Sequence, residues 1–166
     1  AKARKYKIPV IMVNQTGANT ELIFDGSSLV IDRKGTIVKR LPCFEEAIET
    51  FGLEELDREG GLPEICSSDP VQLIRKAIVT GIRDYFSKSG FAKAIVGLSG
   101  GIDSAMVLAL ASEALGNRNM RALLMPSRYS SEHSVTDAVR LAEKLGIKYD
   151  IISIEKPFNA FEEQLS

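Results

Sequence analysis

Residues 94–105 read Ala-Ile-Val-Gly-Leu-Ser-Gly-Gly-Ile-Asp-Ser-Ala, an apolar run that passes through a glycine-rich turn straight into a helical pattern. Ala94-Ile95-Val96 shows no polar alternation, the pattern of a strand covered on both sheet faces. The segments around it fix the architecture. Asp69 is placed to cap a helix with Pro70 at its first position, and Val71, Ile74, Ile78, Ile82 and Tyr85 recur on one apolar face until Lys88 and Gly90. A second helix runs from about Asp103 to Leu115 and is stopped by Gly116; a third runs from Ser134 to Leu145, with Val135, Ala138 and Ala142 on one face and Gly146 beyond it. Strands are expected at Arg121 to Met125, closed by Pro126, and at Ile147 to Ile154. Pro157, Phe158, Phe161 and Leu165 open a final helix. The order βαβαβα, with short connections, predicts an α/β fold: a parallel sheet with helices on both faces, joined by right-handed crossovers.

The first forty residues have a period of two instead. Strands are expected at Ile8 to Val13, Glu21 to Phe24, Ser28 to Asp32 and Thr36 to Arg40. The last two flank Arg33-Lys34-Gly35 as a hairpin, and Phe24 to Ser27 marks another turn. From Leu41 to Ser68 a short acidic helical patch, Glu45 to Leu56, is followed by Gly60, Gly61 and Pro63. That stretch reads as a linker between two segments of different character.

The turn at Ser99-Gly100-Gly101 lies at the carboxyl end of a buried strand and at a helix N-terminus, where open α/β sheets bind ligands. Its chemistry favours an anion. Glycines let backbone N–H groups converge, Ser99 and Ser104 add hydroxyls, and the helix adds partial positive charge. Asp103 sharpens the reading: a carboxylate beside a phosphate is repelled unless a cation separates them, which predicts Mg²⁺ bridging Asp103 to phosphate oxygens. Neither G-x-x-x-x-G-K-[ST] nor G-x-G-x-x-G is present.

Ser99-Gly100-Gly101-Ile102-Asp103-Ser104 resembles the pyrophosphate-binding loop of the N-type ATP pyrophosphatases, whose fold is Rossmann-like, of the adenine nucleotide alpha hydrolase type. The resemblance implies an ATP site lined by Gly97, Leu98, Ser99, Gly100, Gly101, Ile102, Asp103 and Ser104, bordered at the adenine by Leu124 and Met125, with Asp103 as the Mg²⁺ ligand. Ala122-Leu-Leu-Met-Pro-Ser-Arg-Tyr-Ser-Ser-Glu-His-Ser134, Asp137-Ala138, Ala142-Glu-Lys-Leu-Gly146 and Asp84-Tyr85 are similar to the NAD⁺ synthetase family. Pro9-Val-Ile-Met-Val-Asn-Gln-Thr-Gly17 with Phe24 to Ser28 resembles the last β-rich part of a nitrilase-like αββα glutaminase sandwich. Together these imply a glutamine-dependent NAD⁺ synthetase. Residues 1–62 would close its glutaminase domain with a linker, and residues 63–166 would open its ATP-binding domain.

The resemblance further implies ATP, deamido-NAD⁺ and glutamine or ammonia as substrates, and a homo-oligomer for the full-length protein. The family's Glu-Lys-Cys glutaminase triad has no match here, since neither Cys43 nor Cys66 sits in its cysteine motif, so no catalytic residue is assigned. Asn14, Gln15 and Gly17 are candidates for the glutaminase rim, and Glu132 and His133 for a loop at the sheet's carboxyl edge. Other readings are a different ATP pyrophosphatase, such as a GMP synthetase or a tRNA-modifying adenylase, and a non-catalytic nucleotide-binding module.

Composition narrows the classes. With 21 Lys and Arg against 22 Asp and Glu, the chain has no basic surplus to hold a nucleic acid or an anionic membrane. Its longest apolar run, Ala105 to Ala111, is far short of the ~20 residues that span a bilayer. The two cysteines suggest neither a disulfide framework nor a zinc site, and the single His133 cannot build a multi-histidine centre. A cytoplasmic protein is expected. The chain opens on Ala1 and stops in a helical pattern, which reads as an internal excerpt of a longer sequence.

Overall fold

The structure is a computed structural model that describes residues 2–52, 54, 56 and 69–165. It forms two compact units, residues 1–85 and 86–166.

In the first unit, a short helix α1 (Lys2–Tyr6) precedes five strands, β1 (Val10–Met12), β2 (Thr16–Asn19), β3 (Leu22–Asp25), β4 (Leu29–Ile31) and β5 (Ile37–Arg40). All pair antiparallel, β1-β4-β5 in one sheet and β2-β3 in another. The expected hairpin joins β4 to β5: Gly35 adopts φ +86°, and the Asp32 carboxylate accepts from the Thr36 N–H at 2.7 Å. Strand β2 escapes the sequence pattern. Thr-Gly-Ala-Asn is a poor strand former on its own, and its extension comes from pairing with β3 across a two-residue turn at Thr20 and Glu21.

The acidic helix expected over Glu45 to Leu56 does not form over residues 45–52. The chain leading into it is instead tied to the strands: Ser27 N–H donates to Pro42 O, Phe44 N–H to Asp25 O, and Gly26 bridges to Cys43. Lys39 then meets Glu49 at 2.6 Å. Leu41 to Phe44 therefore belongs to the first unit's packing rather than to a linker, while residues 57–68 of that stretch lie outside the described residues. Cys43 is buried and disulfide-bonded, contrary to the sequence expectation. Spacing along a chain does not report whether two Cα atoms come within the ~4.4–6.8 Å a disulfide needs.

Helix α2 (Pro70–Ser89) starts as expected, with the Asp69 carboxylate accepting from the Val71 N–H at 2.9 Å. Its apolar stripe is largely exposed, Val71 at 68% and Tyr85 at 62%, and its buried residues are Val79 and Thr80. The Asp84 carboxylate accepts from the Ala18 N–H at 2.7 Å, and a Cβ at Gly17 would lie 2.8 Å from the same oxygen.

The second unit is the α/β half. It contains β6 (Ala94–Gly97), α3 (Ile102–Leu115), β7 (Met120–Leu124), α4 (Glu132–Lys144), β8 (Lys148–Ile151) and α5 (Glu155–Leu165). The three strands form a parallel sheet in the order β6-β7-β8, flanked by helices. Leu108 and Ala111 of α3 and Ala138 and Ala142 of α4 join Met120, Ala122 and Leu124 of β7 in one buried cluster. Each fully buried leucine there contributes ~1.5–3 kcal/mol. On the opposite face Ile95 stays 69% exposed, where its unbroken apolar run predicts cover.

Arg121 shares that opposite face with Asp150. Its guanidinium forks onto the carboxylate, with one bond of 2.7 Å, and these hydrogen bonds hold the Asp150 carboxyl below the usual aspartate range against the opposing effect of burial. A lowered folded-state pKa supplies stability above the unfolded-state value that is lost as pH falls through the lowered one. In a carbon-13 titration Asp150 is expected to turn below the ordinary ~3.9, and Arg121→Ala should return it toward that value. An unshifted Asp150 in the wild type would contradict the pairing.

Candidate functional site

The glycine-rich turn is built by its own hydroxyls. Leu98 is buried and its N–H donates to Leu123 O, which seats the turn on the end of β7. Beyond it the Ser99 N–H donates to Ser104 Oγ at 3.2 Å, the Gly101 N–H to Ser99 Oγ at 3.3 Å, and the Ser104 hydroxyl to Gly101 O at 3.0 Å. Ser104 has one hydroxyl proton, committed to Gly101, so in the 3.0 Å Ser99–Ser104 contact Ser99 is the donor. Both hydroxyls thus shape the turn, where the sequence alone would aim them at a ligand.

What remains for a ligand is backbone. Gly101 stands at the N-cap of α3 and makes no side-chain cap; the first helical bond there runs from the Ala105 N–H to Gly101 O. Among the described residues no side chain accepts from the N–H groups of Ile102, Asp103 and Ser104, and a 14-residue helix stands behind them. This arrangement suits an anion. Asp103 is exposed on the same first turn.

Two further elements reach the turn. Gly100 has φ +85°, and a Cβ built on it overlaps the Ser134 carbonyl oxygen and lies 2.7 Å from that residue's Cα and carbonyl carbon. The backbone of the turn thus abuts the first turn of α4, which is capped by the Ser131 hydroxyl accepting from the Ser134 N–H. Beside it, Leu98, Ser99, Leu124, Met125, Pro126, Ser130 and Val135 line a recess of about 90 Å³.

The structure brings Leu98 and Ser99 together with Leu124 and Met125 around one recess. Gly97 ends β6, 3.6 Å from Met125 Cε measured from an added Cβ, and Ile102 points outward at 74% exposure. Pro126, Ser130, Val135 and the Ser134 backbone are additions that the sequence reading missed. Their one signal was position, in the serine-rich stretch after a strand's carboxyl end. Glu132 and His133 stand exposed on the first turn of α4. Asn14 lines a recess of the first unit with Thr16, Gly26, Ser27 and Ser28, and its amide donates to Asp25 Oδ1 and Gly26 O.

The site's donor set suits a hard cation only in company. Among the described residues no three His, Cys, Asp or Glu side chains gather as a metal site, so Asp103 offers one carboxylate. A Mg²⁺ ion held mainly by phosphate oxygens and water needs no more than that from the protein. Among the described residues no helix is long and apolar enough to cross a membrane.

Comparison with known proteins gives a consistent picture. A model of the NAD synthase family matches residues 74–166. The glutamine-dependent NAD(+) synthetase of Synechocystis sp. is 41% identical over 98% of this chain and 30% of its own length. Among solved structures, the glutamine-dependent NAD+ synthetase of Acinetobacter baumannii in complex with adenosine diphosphate is 34% identical with a TM-score of 0.87, covering 99% of this chain and 31% of that one. The NH3-dependent NAD synthetase of Campylobacter jejuni, in complex with the nitrate ion, is 39% identical with a TM-score of 0.53 over 56% of this chain and 40% of its own. The chain spans about 30% of the length of the curated relatives it matches.

Proposed function

The chain belongs to the NAD synthase family, and from that premise we propose that it carries the ATP-gripping part of a longer enzyme that amidates deamido-NAD⁺ with ammonia released from glutamine. The carrying observation is the uncapped N-terminus of α3 behind the Ser99-Gly100-Gly101 turn. In this reading Gly97 to Ser104 hold the ATP phosphates, Leu124 and Met125 border the adenine, and Asp103 holds Mg²⁺. The substrate carboxylate attacks the α-phosphate, pyrophosphate leaves, and ammonia then displaces AMP from the acyl adenylate. The leaving pyrophosphate gains negative charge, and N–H groups already fixed by the turn stabilise it without rearrangement. Mg²⁺, when bound, supplies further charge neutralisation at the phosphates.

We place the division of labour at residues 62 and 63, with the glutaminase part before it and the synthetase part after it. The NAD synthase family match begins within α2 and so lies wholly after that boundary, which supports this reading. The full-length protein is proposed to be a cytoplasmic homo-oligomer. Incubation of that protein with deamido-NAD⁺, ATP and either glutamine or ammonia should yield NAD⁺, AMP and pyrophosphate in equal amounts. Failure to release pyrophosphate from ATP in the presence of deamido-NAD⁺ would sink the assignment.

A further inference from the structure

The wall of the recess beside the glycine turn is the loop between β7 and α4, and one residue of that loop faces away from the recess. Arg128 turns onto α5. Its Nε donates to Glu155 Oε1 at 2.6 Å, while its own backbone N–H donates to Glu155 Oε2 at 2.9 Å, so one carboxylate grips both the main chain and the side chain of the same residue. A second guanidinium nitrogen donates to Asn159 Oδ1, a third lies 3.8 Å from Glu162, and the guanidinium lies over the Phe158 ring at 5.3 Å. Tyr129 adds an edge contact to the same ring at 5.7 Å.

Such a partly exposed pair adds little to global stability. Its planar fork and stacking fix position instead, and a lysine could reproduce neither. Two residues after Arg128 comes Ser130, which lines the recess. Ser131 then caps α4, and Ser134 presents its backbone to Gly100. Slack at Arg128 would therefore reach the recess wall and the seat of the glycine turn together.

We propose that Arg128 is a positioning residue for the nucleotide site, clamping the loop at 126–131 onto the first turns of α5 through Glu155. This rests on the ATP-site reading above. The test uses the full-length protein carrying this segment, with Arg128→Ala, Arg128→Lys, Glu155→Ala and the double alanine variant. Each single variant should raise the KM for ATP about tenfold, with kcat within about twofold, the KM for deamido-NAD⁺ unchanged and the melting temperature preserved. The double variant should be no worse than either alone, because both remove one clamp.

An ATP KM within twofold of wild type in Arg128→Ala, or full retention by Arg128→Lys, overturns the proposal. So does a loss of kcat together with a lowered melting temperature, the mark of general structural damage. If the wild type binds ATP in calorimetry yet makes no NAD⁺, the functional reading fails separately, and the clamp is judged on the same tenfold change in ATP affinity. A wild type that binds no ATP overturns both.

Discussion

Gly100→Ala is expected to destabilise the chain by roughly 2–5 kcal/mol and to lower ATP-dependent turnover of the full-length protein at least 100-fold. Two costs add. A non-glycine residue at φ +85° pays ~1–2 kcal/mol for the left-handed backbone, and a methyl group driven into packed atoms pays ~1–3 kcal/mol more. Here the atoms in the way are the Ser134 main chain, which cannot rotate aside as a side chain can. The turn must move, and the N–H groups at the start of α3 move with it.

Gly146 supplies the control, with φ +65° and nothing within 4 Å of an added Cβ. Gly146→Ala should therefore show only the conformational cost. Urea denaturation of both variants separates the two contributions. Equal losses in the two would show that the approach of Ser134 to the turn is not a real constraint.

Asp103→Asn is expected to act in the opposite manner, on function and hardly on fold. The side chain is exposed on the first turn of α3, and exchanging it for a neutral isostere forfeits at most the ~0.3–1 kcal/mol that an acidic group gains at a helix N-terminus. If it is the protein's contribution to a Mg²⁺ site, turnover in the full-length protein should fall roughly 100- to 1000-fold, the scale seen when one charge-stabilising group is removed from a reaction centre. The Mg²⁺ concentration for half-maximal rate should rise as well. Binding of Mn²⁺ to the protein with ATP, followed by electron paramagnetic resonance, gives a measure independent of turnover. Unaltered Mn²⁺ affinity would remove Asp103 from the metal site.

The α/β half was legible because its signals are local. Asp69 before Pro70, the glycines at 116 and 146, and the strand-turn-helix run around Ser99 each punctuate an element from within a few residues, and the observed bounds differ from expectation mainly at the ends of β8. The first unit was harder to read. Glu45 to Leu56 carries helix-favouring residues, yet pairing of Gly26 with Cys43 directs the chain leading into it along the strands, and tertiary pairing overrides propensity. Thr16 to Asn19 becomes a strand only because β3 supplies its partner.

At the site, Ser99 to Ser104 could be read from the sequence, but their surroundings could not. Gly100 meets a residue 34 positions away and Arg128 one 27 positions away, and no periodicity carries that information. The hydroxyls of Ser99 and Ser104 show a subtler limit. Residue type correctly placed them in the turn, and only geometry showed that their protons are spent on holding its shape.

The two constraints on this loop differ in how mutation can escape them. Arg128 and Glu155 are joined through side chains, so a second substitution can in principle restore what a first removes, and lineages can drift through paired exchanges. Gly100 is pressed against atoms that every residue at position 134 possesses. No change of side chain at 134 can make room, so a selection for suppressors of Gly100→Ala should return true revertants to glycine, while suppressors of an Arg128 variant should include changes in α5.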